Sequence, residues 1–240
     1  MTEASAATSG RERAAWLVLL GVAIVAGAWL RWYQLGIQVL LDDEWHALHK
    51  LLVSNAADIA TSFGYADHSI PLTLYYRFLW LHGGLSEWTI HFPMLVCGIA
   101  LLALAPLALR RETSLAVRAA WVALLAISPL LVYHSRTARP YALTALLVPL
   151  AIVAFRRWWQ ADRAATRWAA AYVAATVLSG WLHATTLAFT LLPFAYHAVR
   201  SLVLARGGDR SGIGRAWRRL AALAVCTALA LALVLAPPLL

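Results

Sequence analysis

Ala14-Ala-Trp-Leu-Val-Leu-Leu-Gly-Val-Ala-Ile-Val-Ala-Gly-Ala-Trp-Leu-Arg-Trp-Tyr33 is an apolar run of the length that crosses hydrocarbon, about 20 residues. It follows a short polar tail with Arg11 and Arg13, is too long for a signal-peptide core, and ends in Gly27-Ala-Trp-Leu-Arg-Trp, a poor cleavage site. The run is therefore read as a retained membrane helix. Close behind it comes Leu40-Leu-Asp-Asp-Glu-Trp-His-Ala-Leu-His-Lys50, with three consecutive carboxylates at the membrane surface. In a chain that is 62% hydrophobic and has only 11 acidic residues, such a cluster is costly beside lipid and marks a functional site. A solvated loop after the first span is the alternative.

Further runs of this kind, together with twelve Trp, place the chain among polytopic α-helical membrane proteins. The expected spans are residues 14 to 33, 91 to 109, 116 to 133, 140 to 155, 168 to 182, 184 to 204 and 218 to 236, seven in all, forming one module over residues 1 to 240. Residues 71 to 84 are short for a crossing and carry Arg77 in their middle. They and the stretch from Asp43 to Ser54 are expected as two juxtamembrane amphipathic helices in a first external loop, residues 35 to 88. An eight-span arrangement is the alternative. Cys97 and Cys226 lie inside apolar runs and read as packing residues.

Charge sets the expected orientation. Arg31, Lys50, Arg77, Arg136 and Arg139 share one side with Asp42, Asp43, Glu44, Asp58, Asp67 and Glu87, while the remaining cations crowd the tail, 1 to 13, and residues 110 to 118, 156 to 167 and 200 to 219. The positive-inside rule makes the second group cytoplasmic, in a cell inner membrane, and the first external. The net charge of +9 is then a consequence of topology and calls for no nucleic-acid partner.

A lipid-anchored phosphate leaving group needs cations at the bilayer surface, and arginine suits it because its planar fork binds phosphate oxygens in pairs. Arg136 and Arg139, three apart, are the first candidates; snorkelling at a span end is the alternative. Transfer to a hydroxyl or amine needs a base, which Asp43 supplies. Asp42 or Asp43 with His46 and His49 falls at helical spacing and could hold a divalent metal; solvated histidines are the plainer account. His134 and His183 could line a cavity or meet headgroups, and Tyr141 could hydrogen-bond sugar or phosphate or serve as an interfacial anchor.

Four segments occur in order: the loop with Asp43-Glu44; Tyr65-Ala-Asp-His-Ser-Ile-Pro-Leu-Thr-Leu-Tyr-Tyr76; Leu85-Ser-Glu-Trp-Thr-Ile-His-Phe-Pro-Met94; and Tyr133-His-Ser-Arg-Thr-Ala-Arg-Pro-Tyr141. Over roughly residues 14 to 200 this series resembles the GT-C fold glycosyltransferases that use polyprenyl-phosphate sugars, more narrowly glycosyltransferase family 39, with the protein O-mannosyltransferases and the lipid A aminoarabinose transferase. The resemblance implies a membrane enzyme of the cell envelope that transfers a sugar, with inversion, to an acceptor at the external face. It implies Asp43 as the catalytic carboxylate with Glu44 beside it, and Arg136 and Arg139 fall where members carry polar or charged groups before a proline; Asp67, His68, Tyr141 and His183 complete the expected substrate contacts. No cofactor is required by that chemistry. The chain departs from the family at Ser69-Ile-Pro-Leu72, where His68 is displaced by one position, and at Arg139-Pro140, where the aminoarabinose enzymes carry Asp-Pro. Family members continue with further spans, so the chain is expected to be the catalytic module without the variable remainder: a fragment, a truncated product or half of a two-chain enzyme. A non-catalytic lipid-carrier-binding subunit is the rival reading, and a transporter a weaker one, since charges sit at span ends and no internal repeat occurs.

Overall fold

The structure, a computed structural model, describes residues 10 to 40, 42 to 63, 69 to 161, 165 to 206 and 213 to 239. Among them the chain is helical, without strands. Its α-helices are α1 (Gly10–Trp32), α2 (Trp45–Val53), α3 (Ala56–Ala60), α4 (Ile70–Leu81), α5 (Glu87–Ala108), α6 (Leu115–Ile127), α7 (Pro129–His134), α8 (Tyr141–Gln160), α9 (Ala165–Leu182), α10 (Leu187–Thr190), α11 (Leu192–Arg206) and α12 (Ile213–Leu239). Among the described residues, five stretches are long and apolar enough to cross a membrane: Gly10–Ile37, Glu87–Ala108, Tyr141–Gln160, Ala184–Val203 and Gly214–Leu239. Residues 116 to 133, expected as one span, are instead two helices broken at Ser128-Pro129. The expected span 168 to 182 is α9, packed against α8 and α12.

Prolines explain where the chain bends and what holds the bends. A proline has no N–H, so the carbonyl four residues earlier loses its helical partner. Pro129 in this way frees the Leu125 carbonyl, and Arg31 of α1 donates to it from Nη2 at 3.0 Å. The same guanidinium donates to the Ala126 carbonyl at 3.2 Å, to Gly27 at 2.8 Å and to Ser135 Oγ at 3.2 Å. Arg31, expected among the external cations, is thus fully buried as the plug of the α6–α7 break. Pro93 frees the Thr89 carbonyl, which accepts from the Tyr75 hydroxyl at 2.9 Å. Ser128 caps α7 and Ser86 caps α5 through a capping box with Thr89.

Two glycines make the close approaches possible. A Cβ on Gly27 would lie 2.8 Å from Ala126 Cβ, and one on Gly98 would lie 2.1 Å from Ser135 Oγ. Small residues let helices approach within a membrane, and here they admit α6 and the Arg31 head. The result is a bundle with two unlike ends. At one, Glu112 pairs with Arg156, and Arg219 donates to the carbonyls of Trp158 and Ala161. At the other lie α2, α4, the N-terminus of α5, the α7–α8 turn and the α9–α10 turn, gathered on a core of Leu51, Ile59, Leu72, Tyr76, Ile90, Met94, Ala142 and Leu182.

Candidate functional site

The site is built where the segment after α1 meets the turn between α7 and α8. Glu44, at the start of α2, is fully buried. Its Oε1 accepts from the backbone N–H of Ala138 and lies 3.0 Å from His91 Nε2. His91 is also fully buried, one turn into α5, and its Nδ1 donates to the Glu87 carbonyl at 2.6 Å. Because a carbonyl only accepts, Nδ1 carries a hydrogen.

Ala138 is clamped from the other side as well: the Tyr76 hydroxyl of α4 donates to its carbonyl at 3.3 Å. Burial, reinforced by the Glu44 carboxylate, pushes the Tyr76 phenol far up, so it stays a hydroxyl and a donor. Burial also raises Tyr75. A second set of bonds ties the same turn to the end of α1. Arg136 donates from Nη1 to the carbonyls of Leu30 and Tyr33 and from Nε to Gln38 Oε1, while Gln38 Nε2 donates to the Arg136 carbonyl at 2.9 Å. Gln34, in the left-handed region with φ 55°, ends α1 and turns the chain toward these contacts.

Against this frame stand the exposed and half-buried groups. Asp43 is exposed, and its backbone carbonyl accepts from Arg139 Nη1 at 3.3 Å. The Arg139 guanidinium lies 5.9 Å from the ring centre of Tyr141. Tyr141 in turn makes tilted ring contacts with His134, centres 4.7 Å apart, and with His183 at the α9–α10 turn, centres 5.6 Å apart. His183 Nδ1 meets Thr185 Oγ1 at 2.7 Å. Burial lowers the affinity of His134 for a proton, so it is held neutral. Beside these groups, a groove of about 580 Å³ opens between α2, α4 and α5, lined by Leu40, Trp45, His46, His49, Trp80 and Glu87 among others.

Of the residues expected from sequence, Asp43, Glu44, Arg136, Arg139, Tyr141 and His183 are brought to one end of the bundle. Asp67 and His68 lie outside the described residues. His46 and His49 face the groove, and the Asp42 side chain lies outside the described set; no three His, Cys, Asp or Glu groups converge as metal ligands among the described residues. Within the pair read as catalytic, Asp43 reaches solvent and Glu44 does not. Glu44 therefore supports the site from beneath. His91 was passed over in the sequence although its spacing to Glu87 is one helical turn, and Gln38 carried no signal there. No known family model, curated protein or solved structure matches the chain.

Proposed function

We propose that the chain is a membrane glycosyltransferase that takes its sugar from a polyprenyl-phosphate donor at the end of the bundle formed by the 35 to 44 segment and the α7–α8 turn. On this reading the chain crosses seven times, counting α6 with α7 and α9, and α2 and α4 lie on the membrane surface with this end external. The observation that carries the reading is the placement of Asp43 and Arg139: an exposed carboxylate and a guanidinium on one wall, tied by the Arg139 bond to the Asp43 carbonyl.

Asp43 takes the proton of the acceptor hydroxyl or amine as that group attacks the anomeric carbon. The bond from that carbon to the phosphate oxygen breaks, and the polyprenyl phosphate leaves with the electron pair. Arg139 receives the growing phosphate charge through its fork. Arg136 spends two nitrogens on Leu30, Tyr33 and Gln38, so its part is to hold the turn that presents Arg139. Tyr141 and His183 offer stacking and hydrogen-bonding surface to the sugar, and the groove under Trp45 and Trp80 seats the first isoprene units. Mass spectrometry of lipids co-purifying with the protein tests this. A polyprenyl phosphate retained by the wild type and lost from Arg139→Ala supports it; its absence from delipidated protein reloaded with the lipid sinks it.

A further inference from the structure

The opposite, arginine-rich end carries a second site, independent of the proposed chemistry. A groove of about 440 Å³ runs where α5 and α9 flank α8. Its deeper walls are Leu104 and Leu107 of α5 with Leu150 and Val153 of α8. At its end stand Arg110, just past α5, Arg157 in the last turn of α8 and Trp168 in the first turn of α9. The Arg157 guanidinium lies 4.7 Å over the Trp168 ring. Glu112, the nearby carboxylate, is already held by Arg156, and among the described residues no acidic side chain pairs with Arg110 or Arg157.

An apolar trough two helical turns deep that ends in two cations and an indole is complementary to an amphiphile with an anionic head. We propose that it binds an anionic glycerophospholipid, one acyl chain along Leu150 and Leu104 and the phosphate between Arg110 and Arg157. Basic pockets between membrane helices recognise such headgroups, and tryptophan favours their depth. A zwitterionic headgroup would bring its own cation against the two arginines, and the Trp168 ring that could receive it already lies under the Arg157 and Arg167 guanidinium groups.

The test uses the full chain, delipidated in non-ionic detergent and titrated by native mass spectrometry with dioleoylphosphatidylglycerol and dioleoylphosphatidylcholine. The wild type should retain one phosphatidylglycerol in preference to phosphatidylcholine. Arg110→Gln/Arg157→Gln should weaken that retention about thirtyfold, the loss of two arginines at a membrane surface. Arg118→Gln, at the same end on α6 but outside the groove, should leave it unchanged. Leu150→Trp, which keeps both arginines and fills the trough, should also lower retention, and decides the matter if the double variant does not fold. Equal binding of the two lipids by the wild type, an equal loss in Arg118→Gln, or undiminished binding in Leu150→Trp would overturn the site.

Discussion

Glu44 and His91 meet at 3.0 Å with neither side chain reaching solvent, 47 residues apart in the chain. The pair joins α5 to the segment after α1, and through the Ala138 N–H it joins both to the α7–α8 turn. Three stretches that share no local structure are thereby fixed relative to one another. Asp43 on one and Arg139 on another inherit their spacing from this buried contact.

Removing one member of a buried hydrogen-bonded pair leaves its partner and the Ala138 N–H unsatisfied, at a cost of about 1–3 kcal/mol for each buried group. Glu44→Ala should accordingly lower the thermal unfolding midpoint sharply and cost folded yield, while Glu44→Gln, which keeps an acceptor for the Ala138 N–H, should lose much less. Thermal melts of both variants in the same detergent check this. Equal stability of Glu44→Ala and wild type would remove Glu44 from the framework.

Arg31 and Gly98 form a second framework point. Gly98→Ala would put a Cβ 2.1 Å from Ser135 Oγ and 3.3 Å from Arg31 Nε, so either the serine or the guanidinium must move. Overpacking of this sort costs about 1–3 kcal/mol. Arg31→Met should cost at least as much, since it leaves the carbonyls of Leu125 and Ala126 without partners, at about 1–3 kcal/mol for each buried group. Melting curves of Gly98→Ala, Arg31→Met and a Gly21→Ala control, at a glycine with open space around it, separate these effects.

The helical class and the gathering at one end of the quoted segments, the second of them from Ser69 onward, were legible in the sequence, because apolar run length and arginine placement are local properties of the chain. The break at Ser128-Pro129 was legible in principle: a proline inside an apolar helical run leaves the carbonyl four residues earlier without its helical partner. The group that satisfies it was not, since Arg31 lies 94 residues from Leu125 and reads locally as an ordinary charge at a span end. The same holds for Asp43-Glu44. Adjacent carboxylates look equivalent in sequence, and only the meeting of His91 with the α7–α8 turn buries one and leaves the other exposed.

His134 gives a pH dependence of definite sign. Burial holds its proton affinity below the usual histidine value of 6.5, so the folded protein resists the proton that the unfolded chain accepts. Its contribution is fully present above pH 6.5, where the unfolded chain also leaves the ring neutral, and is lost progressively as the pH falls from there toward the lower value of the folded state. The midpoint of thermal unfolding should therefore fall between pH 7.5 and 5.5 by more in the wild type than in His134→Asn. Parallel pH profiles for the two proteins would show that His134 titrates as freely folded as unfolded.

Asp43→Asn and Arg139→Lys address the proposed chemistry, and the positions of the two side chains make their effects separable. Asp43 is exposed and its backbone carbonyl, which the substitution keeps, accepts from Arg139, so the asparagine variant should fold and melt as the wild type does. Removing the base should nevertheless lower transfer by about 10²-fold or more with donor affinity unchanged. Arg139→Lys keeps the charge and loses the fork, so donor affinity should weaken, by about 1.5–3 kcal/mol if contact with the phosphate is lost altogether as in Arg139→Ala. Titration with a short-chain polyprenyl phosphate and a single-turnover transfer assay separate the two effects. Wild-type transfer by Asp43→Asn would leave the exposed carboxylate without a catalytic role, and wild-type donor affinity in Arg139→Ala would move the phosphate site away from the α7–α8 turn.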